Sequence, residues 1–129
     1  EVEPHLDDEH VRYLGPVTAS ERSAVLGNAQ ALLHLIDFDE PFGYSVVEAM
    51  ACGTPVIANS RGSMTELIEH RVTGYLVTSP DEAVEAVDRA ADLDRDAIRA
   101  VTVTRFDITT MIDKYVAAYR TILSSYDTN

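Results

Sequence analysis

Residues 31–58 read A-L-L-H-L-I-D-F-D-E-P-F-G-Y-S-V-V-E-A-M-A-C-G-T-P-V-I-A, and the fold is decided by this run. Residues 31–36 form a continuous apolar stretch of strand length, the pattern of a buried parallel strand. Residues 43–51 suit a short helix, with Gly53 as its C-terminal stop. Residues 55–58 are the next strand. Alternation of strand and helix with short loops predicts an α/β sandwich on a parallel sheet.

Working outward, residues 10–14 (H-V-R-Y-L) read as a strand ending at Gly15 and Pro16. Residues 18–28 follow as a helix with Thr18 or Ser20 as N-cap. Downstream, residues 64–69 suggest a short helix and residues 74–77 a strand. Pro80 fits a first helical position, where Asp81 and Glu82 complement the dipole. Val84, Val87 and Ala91 mark that helix's expected buried stripe. A last helix is expected from Asp107, where Ile108, Met111, Ile112, Tyr115, Tyr119 and Ile122 recur at i, i+3, i+4, i+7 spacing and must cover something. The run D-R-A-A-D-L-D-R-D at 88–96 reads as a solvated face. About four strands are expected, fewer than the roughly six of a doubly wound sheet.

The chain has 129 residues with 46% hydrophobic content, enough for one domain with a real core. No apolar stretch is long enough to span a bilayer, and the start carries no signal-peptide pattern. Without an initiator Met, the chain reads as a piece of a longer polypeptide. Its formal net charge is -12, and Lys114 is the one lysine. That balance argues against nucleic acid and against anionic lipid as partners, because no basic stripe exists to meet phosphates. Cys52 has no internal disulfide partner, so a reducing, cytoplasmic compartment is the simpler expectation. His5, His10, His34 and His70 show no metal-ligand spacing with one another or with Cys52, and no metal is expected. His34 reads as a satisfied core histidine and Cys52 as a small core filler.

In an open parallel sheet, ligands bind beyond the carboxyl ends of the strands. The loops there include Gly15-Pro16-Val17, residues 37–42 and residues 59–63. Pro41 stiffens the second loop and pushes Glu40 towards extended backbone. Gly43 lets a ligand approach the main chain closely. The N–H groups of Gly43, Tyr44, Ser45 and Val46 fall in or near a first helical turn, where intrahelical partners are lacking and anions are favoured. Glu48 lies roughly 8 Å further along the axis at about 1.5 Å per residue, and its two oxygens suit the hydroxyls of a ribose. A carboxylate at each end of an anion site fits a ligand with a diphosphate in the middle and diols at both ends, which describes a nucleotide-sugar. Taken singly, Glu40 more often reads as a solvated loop acid and Glu48 as an exposed helix residue; together with the intervening Pro-Phe-Gly they favour a site.

These residues carry a family resemblance. Residues 35–58, with E-P-F-G, E-A-M-A-C-G-T-P-V-I-A and two glutamates spaced E-x7-E, resemble the C-terminal half of retaining glycosyltransferases of family 4. V-R-Y-L-G-P-V, R-G-S-M-T-E-L, V-T-G-Y-L-V and R-F-D…Y-V-A-A-Y-R-T-I-L extend the resemblance from residue 11 to about residue 123. It implies a GT-B fold, two Rossmann-like halves across a cleft, with this chain a partial C-terminal half: a parallel sheet with helices on both faces, lacking its first strands and the N-terminal acceptor domain. It implies transfer of a sugar from a nucleotide diphosphate to an unknown acceptor with retention of configuration, and no cofactor or metal. By the same resemblance Glu40 meets donor-sugar hydroxyls as the catalytic position. Phe42, Gly43, Tyr44 and Ser45 offer main-chain contacts to sugar and diphosphate, Glu48 holds the ribose, and the main chain of Val17 meets the base.

Two departures stand out. The family's Gly-Gly before Pro-Glu is here Arg61-Gly62-Ser63-Met64-Thr65-Glu66, where Glu66 reads as a helix N-terminal acid. The family's Arg/Lys clamp on the leaving diphosphate has no counterpart before Arg12, and Arg61, the one basic residue expected near the site, is read as facing loop acids or solvent. The fragment alone is therefore expected to be inactive. A non-catalytic nucleotide-sugar-binding module and a nucleotide-sugar epimerase of the same architecture remain alternatives.

Overall fold

In a computed structural model of the chain, the structure describes residues 3–7 and 9–126. A short 3-10 turn at Glu3–His5 precedes α1 (Ala19–Asn28), β1 (Leu32–His34), α2 (Tyr44–Ala51), β2 (Val56–Asn59) and α3 (Met64–Leu67). Then come β3 (Gly74–Val77), α4 (Pro80–Ala90), α5 (Arg95–Phe106) and α6 (Ile108–Tyr126). The three strands form one parallel sheet in the order β1-β2-β3. Leu32 pairs with Val56, and Val56 in turn with Gly74. Gly74 has no room for a side chain, since a Cβ there would run into the Val56 carbonyl.

The central strand divides the core. Successive side chains of a strand point to opposite faces, so Val56 and Ala58 join α2, α3 and α5 through Val46, Ala49, Met50, Met64, Leu67 and Ile98. Ile57 points the other way and meets Tyr75, Val77 and the alanines of α4. Helices thus cover both faces, as the sequence predicts. Thr18 is the N-cap of α1 and closes a capping box with Glu21, and Pro80 sits at the first position of α4 behind the N-cap Ser79.

Five expectations are corrected. Residues 10–14 form no strand: the Asp7 carboxylate accepts the N–H groups of Glu9, His10 and Val11, giving this backbone a local turn in place of a ladder. Tyr13 is 75% exposed, and among the described residues the sheet has three strands rather than four. The strand of residues 31–36 shrinks to Leu32–His34 and is half-exposed rather than buried, because among the described residues β1 is a sheet edge. The buried stripe of α4 is Ala83, Ala86 and Ala90, with Val87 partly buried, while Val84 is 71% exposed. Small residues lie against the sheet because the helix sits close to β3 and β2. The segment 95–106 is a helix, α5, that the sequence reading left out, and Ile98 and Thr102 are its buried residues.

Of the histidines, His34 is not satisfied: its Nε2 is buried with no hydrogen-bond partner among the described residues. Cys52 is half-buried at the C-cap of α2. The apolar face of α6 is present but covers nothing among the described residues, since none of its residues is buried.

Candidate functional site

The loop of residues 37–42 leaves the carboxyl end of β1 and delivers the chain to α2. Gly43 caps that helix with φ +93° and ψ +64°, a conformation that an L-residue avoids. Its carbonyl accepts the N–H groups of Val46 (3.1 Å) and Val47 (3.2 Å). Val46 is therefore not an open donor, contrary to expectation, because the first turn tightens to an i→i+3 bond. The N–H groups of Gly43, Tyr44 and Ser45 have no partner among the described residues, and Tyr44 and Ser45 are exposed. Three amides at a helix N-terminus, where the dipole is positive, make an anion-attracting patch.

Glu40 is half-buried immediately before this patch, and no hydrogen bond or ion pair among the described residues engages its carboxylate. The Phe42 ring lies 4.8 Å from that of Tyr44 and 6.5 Å from that of Phe106, so the side chain is used in packing and the main chain is what remains to offer. Glu48 is one turn further on. Its Oε1 pairs with the Nη2 of Arg22 at 3.1 Å, and both groups are substantially exposed. Such a pair is worth little by itself, and Oε2 remains able to accept.

Arg22 is a basic residue beside the site that sequence reasoning missed. The signal was weak, because the pair joins α1 to α2 across a tertiary contact that no spacing announces. It brings the start of α1, and with it the Val17 turn that precedes Thr18, to the Glu48 side of α2. Val17 itself is partly exposed.

Arg61, as expected, faces loop acids. Its Nη1 donates to Asp37 Oδ1 at 2.6 Å and its Nε to Asp39 Oδ1 at 3.0 Å. Asp39, then Asp37, hold its proton more firmly than usual. A cleft of about 430 Å³ opens beside these residues at the carboxyl ends of β2 and β3, lined by Asp37, Asp39, Asn59, Ser60, Arg61, Val77 and Thr78. It contains none of the seven predicted positions, which lie on the neighbouring surface around the N-terminus of α2. Among the described residues, no group of three or more metal-ligating side chains is present. Among the same residues, no helix is long and apolar enough to cross a membrane.

A parallel three-layer α/β domain with a polar surface at the carboxyl ends of its strands, centred on a helix N-terminus, is the Rossmann-like class. Within that class the chain belongs to the glycosyl transferases group 1 family, which matches residues 3–104. It is 31% identical over 124 residues to a phosphatidyl-myo-inositol mannosyltransferase of Mycobacterium leprae, covering 91% of this chain and 33% of that protein. It is 34% identical over 134 residues to a D-inositol 3-phosphate glycosyltransferase of Salinispora tropica, covering 93% of this chain and 28% of that one. Among solved structures, Anabaena HepE in complex with UDP-glucose superposes with a TM-score of 0.70 at 27% identity, over 88% of this chain and 33% of HepE. AviGT4, a glycosyltransferase involved in avilamycin A biosynthesis, gives 0.68 at 29% identity over 84% of this chain and 35% of its own. These enzymes have the GT-B fold. The chain spans about a third of the length of the curated relatives it matches.

Proposed function

We propose that this chain is the donor-binding part of a retaining glycosyltransferase, holding a nucleotide-diphosphate sugar whose sugar passes to an acceptor bound by another part of the polypeptide. The observation that carries it is the arrangement around α2: an unengaged carboxylate, Glu40, before the helix, the unpaired amides of exposed Tyr44 and Ser45 at its first turn beside that of the buried N-cap Gly43, and the Glu48 carboxylate a turn beyond. Amides at a helix start suit a diphosphate, which needs donors and positive potential. Carboxylates suit hydroxyls, which donate to them.

In this reading Glu48 holds the ribose through the oxygen that Arg22 leaves open, and the main chain of Val17 meets the base. The amides of Gly43, Tyr44 and Ser45, with the main chain of Phe42, hold the diphosphate and the sugar. Glu40 binds donor-sugar hydroxyls at the reacting end. Preorganised donors at the departing diphosphate stabilise the charge that develops as the glycosidic bond breaks. No metal or cofactor is called for, and the protein acts in the cytoplasm. The UDP-glucose in HepE and the sugar-transferring names of the relatives support the substrate class.

The test is Glu40→Gln in the polypeptide that carries this chain. Turnover should fall about a hundredfold or more, the scale of a lost positioned hydrogen bond in the transition state, with nucleotide affinity within a few-fold of wild type. Undiminished turnover would remove Glu40 from the mechanism. One observation favours a second reading, a nucleotide-sugar-binding module without catalysis: Arg61 is committed to Asp37 and Asp39 rather than turned to the amides of α2. Donor binding without transfer or hydrolysis by the complete polypeptide would select it.

A further inference from the structure

We propose that the turn of residues 61–63 is a clasp that positions Glu40, with Arg61 and Ser63 as positioning residues rather than ligand contacts. The proposal rests on the reading of Glu40 given above. The loop of residues 37–42 contains no helix or strand, so its shape must come from elsewhere, and its anchors come from the connection between β2 and α3. Asn59 Nδ2 donates to the carbonyl of Ile36 at 2.9 Å, where the loop begins. Arg61 then bridges Asp37 and Asp39. The Ser63 N–H donates to the Glu40 carbonyl at 3.0 Å, and the Ser63 hydroxyl to the Phe42 carbonyl at 2.8 Å. Between them Gly62, at φ +51°, lies so close that a Cβ would stand 2.9 Å from the Glu40 nitrogen and 3.0 Å from its oxygen.

What the clasp leaves alone is as informative as what it holds. Its bonds fall on the main chain of Glu40 and Phe42 and on the side chains of Asp37 and Asp39, while the Glu40 carboxylate is untouched. The tie thus fixes the backbone from which the Glu40 carboxylate projects and leaves that carboxylate to accept from a ligand. Misplacing a reacting group by about 1 Å costs roughly a hundredfold in rate, so a loop without regular structure needs such external anchors. The sequence R-G-S supplies them: a fork that meets two carboxylates at once, a glycine that admits the neighbouring backbone, and a serine whose N–H and hydroxyl each donate to a loop carbonyl.

The experiment compares Arg61→Met, Ser63→Ala and their combination with Glu40→Gln, alone and together, in the polypeptide that carries this chain. UDP-glucose is the probe donor, UDP the binding probe, and amide hydrogen exchange the structural readout. The R61M/S63A protein should exchange amides 38–43 about tenfold faster, with β2 and α4 unchanged, because local opening sets exchange. Its kcat should fall about tenfold or more with KM and UDP affinity within about twofold, and adding Glu40→Gln should cost far less than it does in the wild-type background. Arg61→Lys should recover part of the loss, as a single-point cation still reaches one aspartate. Unchanged exchange in the loop overturns the clasp. So does a loss expressed in UDP affinity, which makes Arg61 a ligand contact, or full additivity with Glu40→Gln. Faster exchange together with wild-type turnover in Glu40→Gln leaves the clasp standing and refutes the role of Glu40 instead.

Discussion

At Gly43 the backbone occupies a region that a side chain makes costly, and a Cβ would stand 2.7 Å from the Met64 methyl and 3.3 Å from Leu67 Cδ1. Gly43→Ala should cost about 1–2 kcal/mol from the backbone term, and a fall of several degrees in Tm would register it. Five positions on, Glu48→Gln should weaken nucleotide binding by about 1.5–3 kcal/mol, the range for hydrogen bonds to a charged acceptor; calorimetric titration with UDP measures this, and unaltered affinity would remove Glu48 from the ribose. The local geometry of the candidate site was largely readable at this scale. Pro41, Gly43 and the spacing of Glu40 and Glu48 are local facts, and local geometry carries them. Arg22 and Ser63 were not readable as partners, because each acts across a contact between elements distant in sequence.

The elements show what local chemistry decides and where packing overrides it. Capping was partly legible: Thr18, one of two N-cap candidates, and Pro80 at a first helical position are chemical signatures, and the structure uses both, adding Glu21 and Ser79 as their partners. The helix α5 was hidden because the β-branched run Val101-Thr102-Val103-Thr104 weakens helix propensity, while its buried stripe amounts to Ile98 and Thr102. The Thr102 hydroxyl resolves the conflict by donating to the Ile98 carbonyl at 2.7 Å. Glu21 sits below its ordinary value of 4.5 because Thr18 donates to it through side chain and backbone. Glu82 is lowered in the same sense, first by the Thr78 N–H and then by its hydroxyl. A carboxylate lowered in the folded state stabilises fully above its unfolded value and loses that contribution as pH falls through the folded one. The starts of α1 and α4 should therefore loosen below about pH 4.5, lowering Tm in thermal scans followed by circular dichroism, and Thr18→Ala should flatten the dependence by removing one donor.

At the scale of the molecule, a net charge of -12 over 129 residues means that self-repulsion opposes the folded state. Screening should relieve it, so Tm should rise between about 10 mM and 150 mM salt; a fall would show that the Arg22 and Arg61 pairs outweigh the repulsion. Stability is also uneven. The central strand β2 is buried on both faces, whereas α6 has no buried residue. Hydrogen exchange should be fastest among the helices in α6 and slowest in β2.

The Arg95 guanidinium joins three places at once: it donates to the carbonyls of Gly27 and Ala29 at the end of α1, each at 2.8 Å, and to the Thr54 hydroxyl at 2.9 Å where the chain approaches β2. Arg95 follows Ala29 by 66 residues. A chain made from its amino end therefore exposes the tail of α1 on the ribosome long before the residue that closes it has been synthesised. Until then the carbonyls of Gly27 and Ala29 lack these donors, while Thr54 and the Arg22–Glu48 pair already tie α1 to its neighbours. The end of α1 thus owes the partners of two of its last carbonyls to a side chain on the first turn of α5.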